Sequence, residues 1–151
     1  MQLKIDDLTD ARIADFLEQH LEDMRAVSPP ESKHALDLAG LKDPSITFWT
    51  AWEGETLLGT AAIKELEPSH GEIKSMRTSA AHRGQGIASS LLNHLIGQAK
   101  ARGYQRLSLE TGSMPFFAPA RSLYAKHGFI ACEAFAEYQA DPNSIFMTKQ
   151  L

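Results

Sequence analysis

The sequence has few features that would place the protein in a membrane, an oxidising compartment or a nucleic-acid complex. Its 151 residues include a single cysteine, Cys132, which excludes an internal disulfide and is expected to be a small buried apolar residue. No apolar run is long enough to span a bilayer, and residues 1–7 lack the apolar core of a signal peptide. The formal net charge is −4 and no stripe of basic residues is visible, which argues against a nucleic-acid binder. We therefore expect a cytoplasmic protein that binds neither membranes nor nucleic acids, and we predict no metal site.

The composition is typical of a single globular domain. Hydrophobic residues make up 43% of the chain and charged residues 23%, which are ordinary values for a folded domain. A chain of this length buries roughly 68–70% of its unfolded surface, so it can form a full core without disulfides or metals. Because no internal repeat, linker or low-complexity tract interrupts the sequence, we predict one domain over residues 1–151.

Apolar spacing and turn residues predict strands and helices that alternate along the chain. Strands are expected at residues 3–8, 46–52, 56–66, 72–79, 105–112, 129–138 and 144–150, and helices at 10–26, 31–41, 87–102 and 120–127. The resulting order, β-α-α-β-β-β-α-β-α-β-β, indicates an α/β (α+β) fold in which helices pack on the faces of a mixed sheet. The strand predicted at 72–79 is unusually polar, which suggests that one of its faces lines a site.

A glycine-rich turn before the helix predicted at 87–102 is the main candidate for a binding site. Glycine carries no side chain to block a ligand, and such a turn presents free N–H donors at the positive end of the helix dipole. The turn and the start of the helix consist of Arg83, Gly84, Gln85, Gly86, Ile87, Ala88 and Ser89. Taken alone, this pattern also fits a tight turn without a ligand. We predict that the segment binds a diphosphate, with Arg83 adding a positive charge at the rim.

Two motifs resemble those of the GNAT acyltransferases, a family that uses acetyl-CoA. Arg83, Gly86 and Ala88 match the family's pyrophosphate-binding signature, Arg-x-x-Gly-x-Gly/Ala, between a strand and a helix. Residues 120–129 match a second family element, Ala-x-x-Leu-Tyr-x-x-x-Gly-Phe, in which the tyrosine is Tyr124. The predicted order of elements also resembles the GNAT fold over essentially the whole chain. The resemblance implies a central, twisted and largely antiparallel mixed sheet of about seven strands with helices on both faces.

The resemblance also implies that the protein binds acetyl-CoA. In the family, the strand before the glycine-rich turn pairs its backbone with the pantetheine arm, and here that stretch is Met76, Arg77 and Thr78. The family's fourth and fifth strands splay apart, and the thioester lies in the gap. Family members often have a proline at the position of Ala80 and an asparagine at that of Phe117. Phe117 is kept as a cofactor-binding candidate, although it lacks the polar contact of an asparagine.

Three residues are candidates for proton transfer. In the family, the tyrosine that matches Tyr124 commonly lies near the thioester sulfur, where a phenol can protonate the leaving thiolate. Taken alone, Tyr124 could instead be a core residue of an amphipathic helix. Glu72 matches the place where the histone-acetylating branch carries its general base, and Glu110, late on the next predicted strand, is the competing candidate. We favour Glu72 as the base, although either carboxylate could instead be a solvated surface group.

The acceptor site is expected, as in the family, between the loop that joins the first two helices and the last strands. Ser28, Ser32 and His34 on that loop are candidate acceptor-binding residues. Aromatic residues could shape the same site or simply pack, namely Phe116, Phe117, Phe135 and Tyr138. The fold does not distinguish a small-molecule amine from an amino acid or a peptide amine.

The function implied by the resemblance is acetyl-CoA-dependent N-acetylation of a primary amine, by direct attack within a ternary complex. A CoA-binding module without turnover is the alternative, and Tyr124 argues against it because binding alone needs no phenol near the sulfur. A Rossmann-type nucleotide domain would need the motif Gly-x-Gly-x-x-Gly after its first strand. Gly84 and Gly86 are not followed by the third glycine of that motif. A homodimer is a possible assembly.

Overall fold

The computed structural model describes residues 1–27 and 38–151, which are built around a seven-stranded sheet. The strands are β1 (Gln2–Ile5), β2 (Ile46–Glu53), β3 (Thr56–Glu67), β4 (His70–Thr78), β5 (Arg106–Gly112), β6 (Ile130–Cys132) and β7 (Ser144–Gln150). The helices are α1 (Ala11–Val27), α2 (Leu38–Leu41), α3 (Ile87–Ala101) and α4 (Ala118–Lys126). The order of these elements agrees with the order predicted from the sequence.

The sheet is mixed but mainly antiparallel. Its strand order is β1-β2-β3-β4-β5-β7-β6, and every neighbouring pair is antiparallel except β4 and β5. The parallel pair is held over three residue pairs, the last of which joins Glu72 to Ser108. Because β4 continues to Thr78 and β5 to Gly112, the two strands separate beyond this point. The expected sheet, mixed and largely antiparallel with seven strands, is confirmed.

Helices cover both faces of the sheet. Successive side chains of a strand point to opposite faces, so each face contributes apolar side chains to its own core. One apolar core includes Trp49 of β2 and Leu91 of α3. The other core includes Phe48 of β2, the neighbour of Trp49, and Ile13 of α1. Removing these side chains from water is the main favourable contribution to folding. None of the helices in residues 1–27 and 38–151 has both the length and the apolar character needed to cross a membrane.

The strand predicted over residues 129–138 is wrong in its extent, since β6 ends at Cys132. The chain leaves the sheet there because two of its aromatic side chains pack on the face of the sheet. Phe135 and Tyr138 lie with ring centroids 5.8 Å and 5.4 Å from that of Phe146 in β7. Ala136, between them, has a φ of +51°, which is incompatible with a regular strand. Residues 133–143 therefore form an irregular segment over the sheet, which we call the covering segment.

Two N-terminal elements also differ from their predicted bounds. β1 ends at Ile5 instead of reaching Leu8, because the Asp6 carboxylate accepts a hydrogen bond from the Leu8 amide at 2.9 Å. This local bond competes with strand pairing, and it holds Leu8 at a φ of +67°. Of the helix predicted at residues 31–41, the structure describes residues 38–41, which form α2 (Leu38–Leu41). Residues 31–37 lie outside the described residues.

Candidate active site

The glycine-rich turn forms an open cradle at the N-terminus of α3. Gly84 and Gly86 have φ values of +78° and +79°, which glycine adopts without strain. A Cβ atom at either position would meet no other atom within 4 Å, so the space in front of the turn is open. Gly86 caps α3 and accepts a hydrogen bond from the Ser90 amide at 3.0 Å. The preceding amides of the first turn have no partner within the helix, which makes the cradle suited to an anion.

A cavity of about 380 Å³, which we call the channel, connects the cradle to the interior. Seven of the predicted cofactor-binding residues line it: Met76, Arg77, Thr78, Arg83, Ala88, Phe117 and Tyr124. The other predicted residues, Gly84, Gln85, Gly86, Ile87 and Ser89, belong to the cradle and the first turn of α3. The Ile87 side chain is buried in the core, so its backbone alone is available to a ligand.

A bulge in β4 opens the sheet beside the channel. Pairing with β3 shifts between Thr60 and Ala62, whose partners on β4 are Arg77 and Lys74. Ser75 lies in the bulge with a φ of +49°, and its carbonyl accepts a hydrogen bond from the Thr60 hydroxyl at 2.8 Å. A bulge bends its strand and ends regular pairing. Together with the short β4–β5 pairing, it accounts for the gap between these two strands.

A small cavity of about 120 Å³, which we call the chamber, continues from the channel into this gap. It shares Met76, Phe117 and Tyr124 with the channel and is also lined by Glu110 of β5. Phe117 packs so closely on Gly112 that a Cβ atom at Gly112 would overlap its ring. The aromatic side chain at this position therefore shapes the wall of both cavities, where the family often has an asparagine.

A larger cavity of about 920 Å³, which we call the groove, lies beyond the chamber. It runs between the polar face of β4 and residues 136–141 of the covering segment. The groove shares Glu72, Lys74 and Tyr138 with the chamber but has no lining residue in common with the channel. The chamber therefore lies between the channel and the groove and adjoins both of them.

Tyr124 is buried where the channel meets the chamber. Its hydroxyl points toward Met76 Sδ at 4.0 Å, and its ring packs on Phe129 with centroids 5.8 Å apart. Burial raises the pKa of Tyr124 above its usual range, and the nearby charge of Glu110 raises it further. The phenol is therefore protonated at neutral pH and can act as a proton donor in the chamber.

Glu110 is a carboxylic acid of the chamber that titrates near neutral pH. Burial raises the pKa of Glu110 to about 7, and the negative charges of Glu72 and Asp141 contribute in the same direction. The neighbouring Ser144 hydroxyl and the positive charge of Lys74 oppose this rise in pKa. A group with a pKa near the working pH combines a large deprotonated fraction with useful basicity.

Glu72 is buried and bonded on the side of the chamber that adjoins the groove. Glu72 is 2% exposed, and its Oε2 atom lies 3.0 Å from Lys74 Nζ. The Tyr138 hydroxyl donates a hydrogen bond to the same oxygen at 2.5 Å and accepts one from Lys74 Nζ at 2.7 Å. We call these three residues the triad. The face of β4 that looked too polar for a central strand is thus the face that supplies Glu72 and Lys74 to both cavities.

The sequence did not reveal how Arg77 connects β4 to α1. Its guanidinium forms an ion pair with Asp23 and lies 3.3 Å from His20 Nδ1. Burial and the charge of Arg77 lower the pKa of His20 to about 4, so this imidazole is neutral. Because these partners are more than fifty positions apart, no local pattern could have indicated the contact. The candidates Ser28, Ser32 and His34 lie outside the described residues.

Comparison with known proteins agrees with this geometry. A model of the Acetyltransferase (GNAT) family matches residues 6–129. The chain is 58% identical over 151 residues to the uncharacterized N-acetyltransferase YsnE of Bacillus subtilis strain 168, with 100% of both chains covered. It is 46% identical over 149 residues to the uncharacterized N-acetyltransferase YedL of Escherichia coli strain K12, covering 99% of this chain and 94% of that one.

A solved structure supports the same assignment. A protein from Klebsiella pneumoniae, described as an acyl-CoA N-acyltransferase, matches with a TM-score of 0.75 and 28% identity, covering 99% of this chain and 97% of that one. The resemblance noted in the two sequence motifs is therefore confirmed over the full fold. The chain belongs to the GNAT family of acetyltransferases.

Proposed function

We propose that this protein transfers an acetyl group from acetyl-CoA to a primary amine, by direct attack of the amine within a ternary complex. The observation that carries this proposal is the row of adjoining cavities, channel, chamber and groove, beside the gap between β4 and β5. A cofactor in the channel and an acceptor in the groove can meet in the chamber without a covalent enzyme intermediate. Two proton-transfer groups, Glu110 and Tyr124, line the chamber.

The residues of the cradle and channel fit acetyl-CoA. The open space in front of Gly84 and Gly86 suits the diphosphate, and Arg83 adds a positive charge at the end of the channel. The side of β4 that faces away from β3 is not paired with β5 beyond Glu72, so its backbone can hydrogen-bond an extended pantetheine arm. When bound, acetyl-CoA supplies a thioester, whose carbonyl carbon is the electrophile.

Glu110 and Tyr124 are assigned opposite roles because their proton affinities differ. Glu110 accepts the proton that the amine loses as its nitrogen bonds to the acetyl carbon. Tyr124 donates its proton to sulfur as the carbon–sulfur bond breaks, so the products are an amide and a thiol. Return of the proton from Glu110 to the Tyr124 phenolate restores both groups, and the raised pKa of Tyr124 favours this return.

Glu110 is preferred to Glu72 as the base, which reverses the preference drawn from the sequence. Glu72 is bonded to both Lys74 and Tyr138, so taking up a further proton would break an ion pair in a buried place. Glu110 carries no such ion pair among the described residues, and its pKa of about 7 suits a base at neutral pH.

Tyr124→Phe is expected to lower kcat about 10²-fold, the lower end of the range for one acid–base group. The substitution keeps the ring and its contact with Phe129 but removes the proton. The KM for acetyl-CoA should change little, because the walls of the channel keep their shape. Steady-state kinetics with an accepted amine measure both constants. An unchanged kcat, under conditions where the chemical step is rate-limiting, would mean that Tyr124 is a packing residue.

The proposed function as a whole is tested by following thiol release from acetyl-CoA with a panel of primary amines. Mass spectrometry of the products then identifies the acetylated amine. Amine-dependent thiol release with formation of the amide supports the proposal. CoA binding in calorimetry without transfer to any amine would instead favour a CoA-binding module that does not turn over.

A further inference from the structure

The triad forms the boundary between the chamber and the groove, because Glu72, Lys74 and Tyr138 line both cavities. Glu72 and Lys74 come from β4, and Tyr138 comes from the covering segment on the other side. An acceptor whose body lies in the groove must therefore reach the chamber past the edge of these side chains, which are bonded to one another. Its nitrogen has to reach the part of the chamber that Glu110 and Tyr124 line.

Its hydrogen bonds and ring contacts hold Tyr138 in place, so this side chain forms a wall at the boundary. Its hydroxyl bonds to Glu72 and Lys74 at 2.5 Å and 2.7 Å. Its ring lies 5.2 Å from that of Phe135 and 5.4 Å from that of Phe146, measured between centroids. Turning Tyr138 aside would remove this hydrogen bond from the buried Glu72 carboxylate, which is unfavourable because water does not replace a lost partner there.

The chamber behind this wall is small. Its volume of about 120 Å³ is smaller than that of an engineered cavity of about 150 Å³ that holds one benzene molecule. The acetyl group and the attacking nitrogen must share this space, so little of it remains for the rest of the acceptor. The groove, at about 920 Å³, has ample room for a larger body. A carbon that branches next to the nitrogen adds its extra atoms in the chamber or against Tyr138.

We propose that Tyr138 is a specificity-determining residue, which restricts acceptors to primary amines at the end of an unbranched alkyl arm. The ε-amino group of a lysine side chain and an alkyl diamine have this shape. An α-amino group on a branched carbon does not, because its substituents meet the Tyr138 wall. The inference rests on the proposed acetyl transfer and adds the chemical class of the acceptor.

Two isomers of acetylated lysine test the restriction, since they have the same atoms and the same charged groups. Nα-acetyl-lysine offers a free amine on an unbranched arm, whereas Nε-acetyl-lysine offers one on a branched carbon. With acetyl-CoA, kcat/KM for the first isomer is expected to exceed that for the second about 100-fold. The corresponding pairs of mono-acetylated ornithine and of mono-acetylated lysine amide repeat the comparison with acceptors of other length and charge.

Substitutions of Tyr138 separate selectivity from general damage. Tyr138→Ala removes the wall and is expected to reduce the isomer ratio by about tenfold, because the branched amine gains room. Tyr138→Phe keeps the ring and should keep the ratio, even if the lost hydroxyl lowers activity with both isomers. Tyr138→Leu, a smaller side chain that still packs on Phe135 and Phe146, replaces the alanine variant if that variant does not fold. Thermal melting and CoA calorimetry identify folded variants.

The possible outcomes distinguish this inference from the function on which it rests. Equal use of the two isomers by the wild-type protein contradicts the restriction and leaves acetyl transfer in place. An unchanged ratio in the folded alanine or leucine variant contradicts the role of Tyr138. Transfer to no amine of any pair, with intact CoA binding, contradicts both the restriction and the transfer itself.

Discussion

Glu110→Gln is expected to lower kcat about 10³-fold at about pH 8 and to remove the acidic limb of the pH profile of kcat. Glutamine keeps the shape of the side chain but cannot accept the proton of the amine. In the wild-type protein, activity should rise with pH through about 7, the pKa of Glu110, because the protonated acid cannot act as a base. A pH series of kcat at saturating concentrations of both substrates reports this group in the ternary complex.

Glu72→Gln is the matched control for this substitution. It changes the other candidate carboxylate, which is bonded in the triad. The acidic limb should persist in this variant and move to lower pH, because the charge of Glu72 is one of the effects that raise the pKa of Glu110. If Glu72→Gln removed the limb and Glu110→Gln kept it, Glu72 would be the base. A limb retained in both variants would mean that neither side chain is.

Protein stability provides a readout of Glu110 that does not depend on activity. Its folded-state pKa of about 7 lies above the ordinary value of 4.5, so the folded chain binds more protons than the unfolded chain between these pH values. Wild-type stability should therefore fall as pH rises through this window. Glu110→Gln, which does not titrate, should melt several degrees higher than the wild type at about pH 8 and close to it at about pH 5.

Gly86→Asp is expected to weaken CoA binding about 10³-fold while the protein remains folded. A carboxylate at about 4 Å from the diphosphate would cost about 4 kcal/mol at an effective dielectric constant of 20, which corresponds to this factor. Folding should be preserved because a Cβ atom at Gly86 meets nothing within 4 Å and aspartate is one of the residues that adopt a positive φ most readily. Isothermal titration calorimetry with CoA measures the affinity, and the melting temperature verifies the fold.

Gly97→Asp is the control for Gly86→Asp, because it makes the same chemical change on the same helix. Gly97 is exposed in α3, far along the helix from the cradle, and a Cβ atom there would meet nothing within 4 Å. Its CoA affinity should remain within about twofold of the wild type, since its charge is more than a helical turn away and is screened by solvent. If Gly86→Asp kept its affinity for CoA, or if both variants lost the same affinity, the proposal that the cradle binds the diphosphate would be wrong.

Most of the fold could be predicted from the sequence because the patterns that indicate its helices and strands involve neighbouring residues. The apolar spacing of α3, its preceding glycines and the hairpin of β2 and β3 depend on neighbouring residues, and all were predicted close to their observed bounds. Residues 129–138 misled the prediction, because an extended aromatic stretch has the composition of a strand. Its departure from the sheet depends on Phe146, a residue of the following strand.

The backbone shape of the cradle was predictable from the sequence, whereas the contacts of the candidate proton-transfer residues were not. The glycine motif encodes a backbone shape, which a short pattern can specify. The distinction between Glu72 and Glu110 depends on Tyr138, 66 positions from Glu72, and on the burial that the whole fold imposes. Sequence alternation places both carboxylates on strands, but it carries no information about which of them is bonded to a lysine.

The separation of β4 from β5 gives this sheet four strand edges instead of two. Two are the outer edges at β1 and β6, and the others lie within the sheet, beyond Glu72 and Ser108. An exposed outer edge can recruit strands of other chains and lead to aggregation. The inner edges open into the channel and the chamber, whose volumes are about 380 Å³ and about 120 Å³. Because these edges present backbone groups, the side chains of Met76 to Thr78 can diverge among relatives without loss of the hydrogen bonds that the backbone offers.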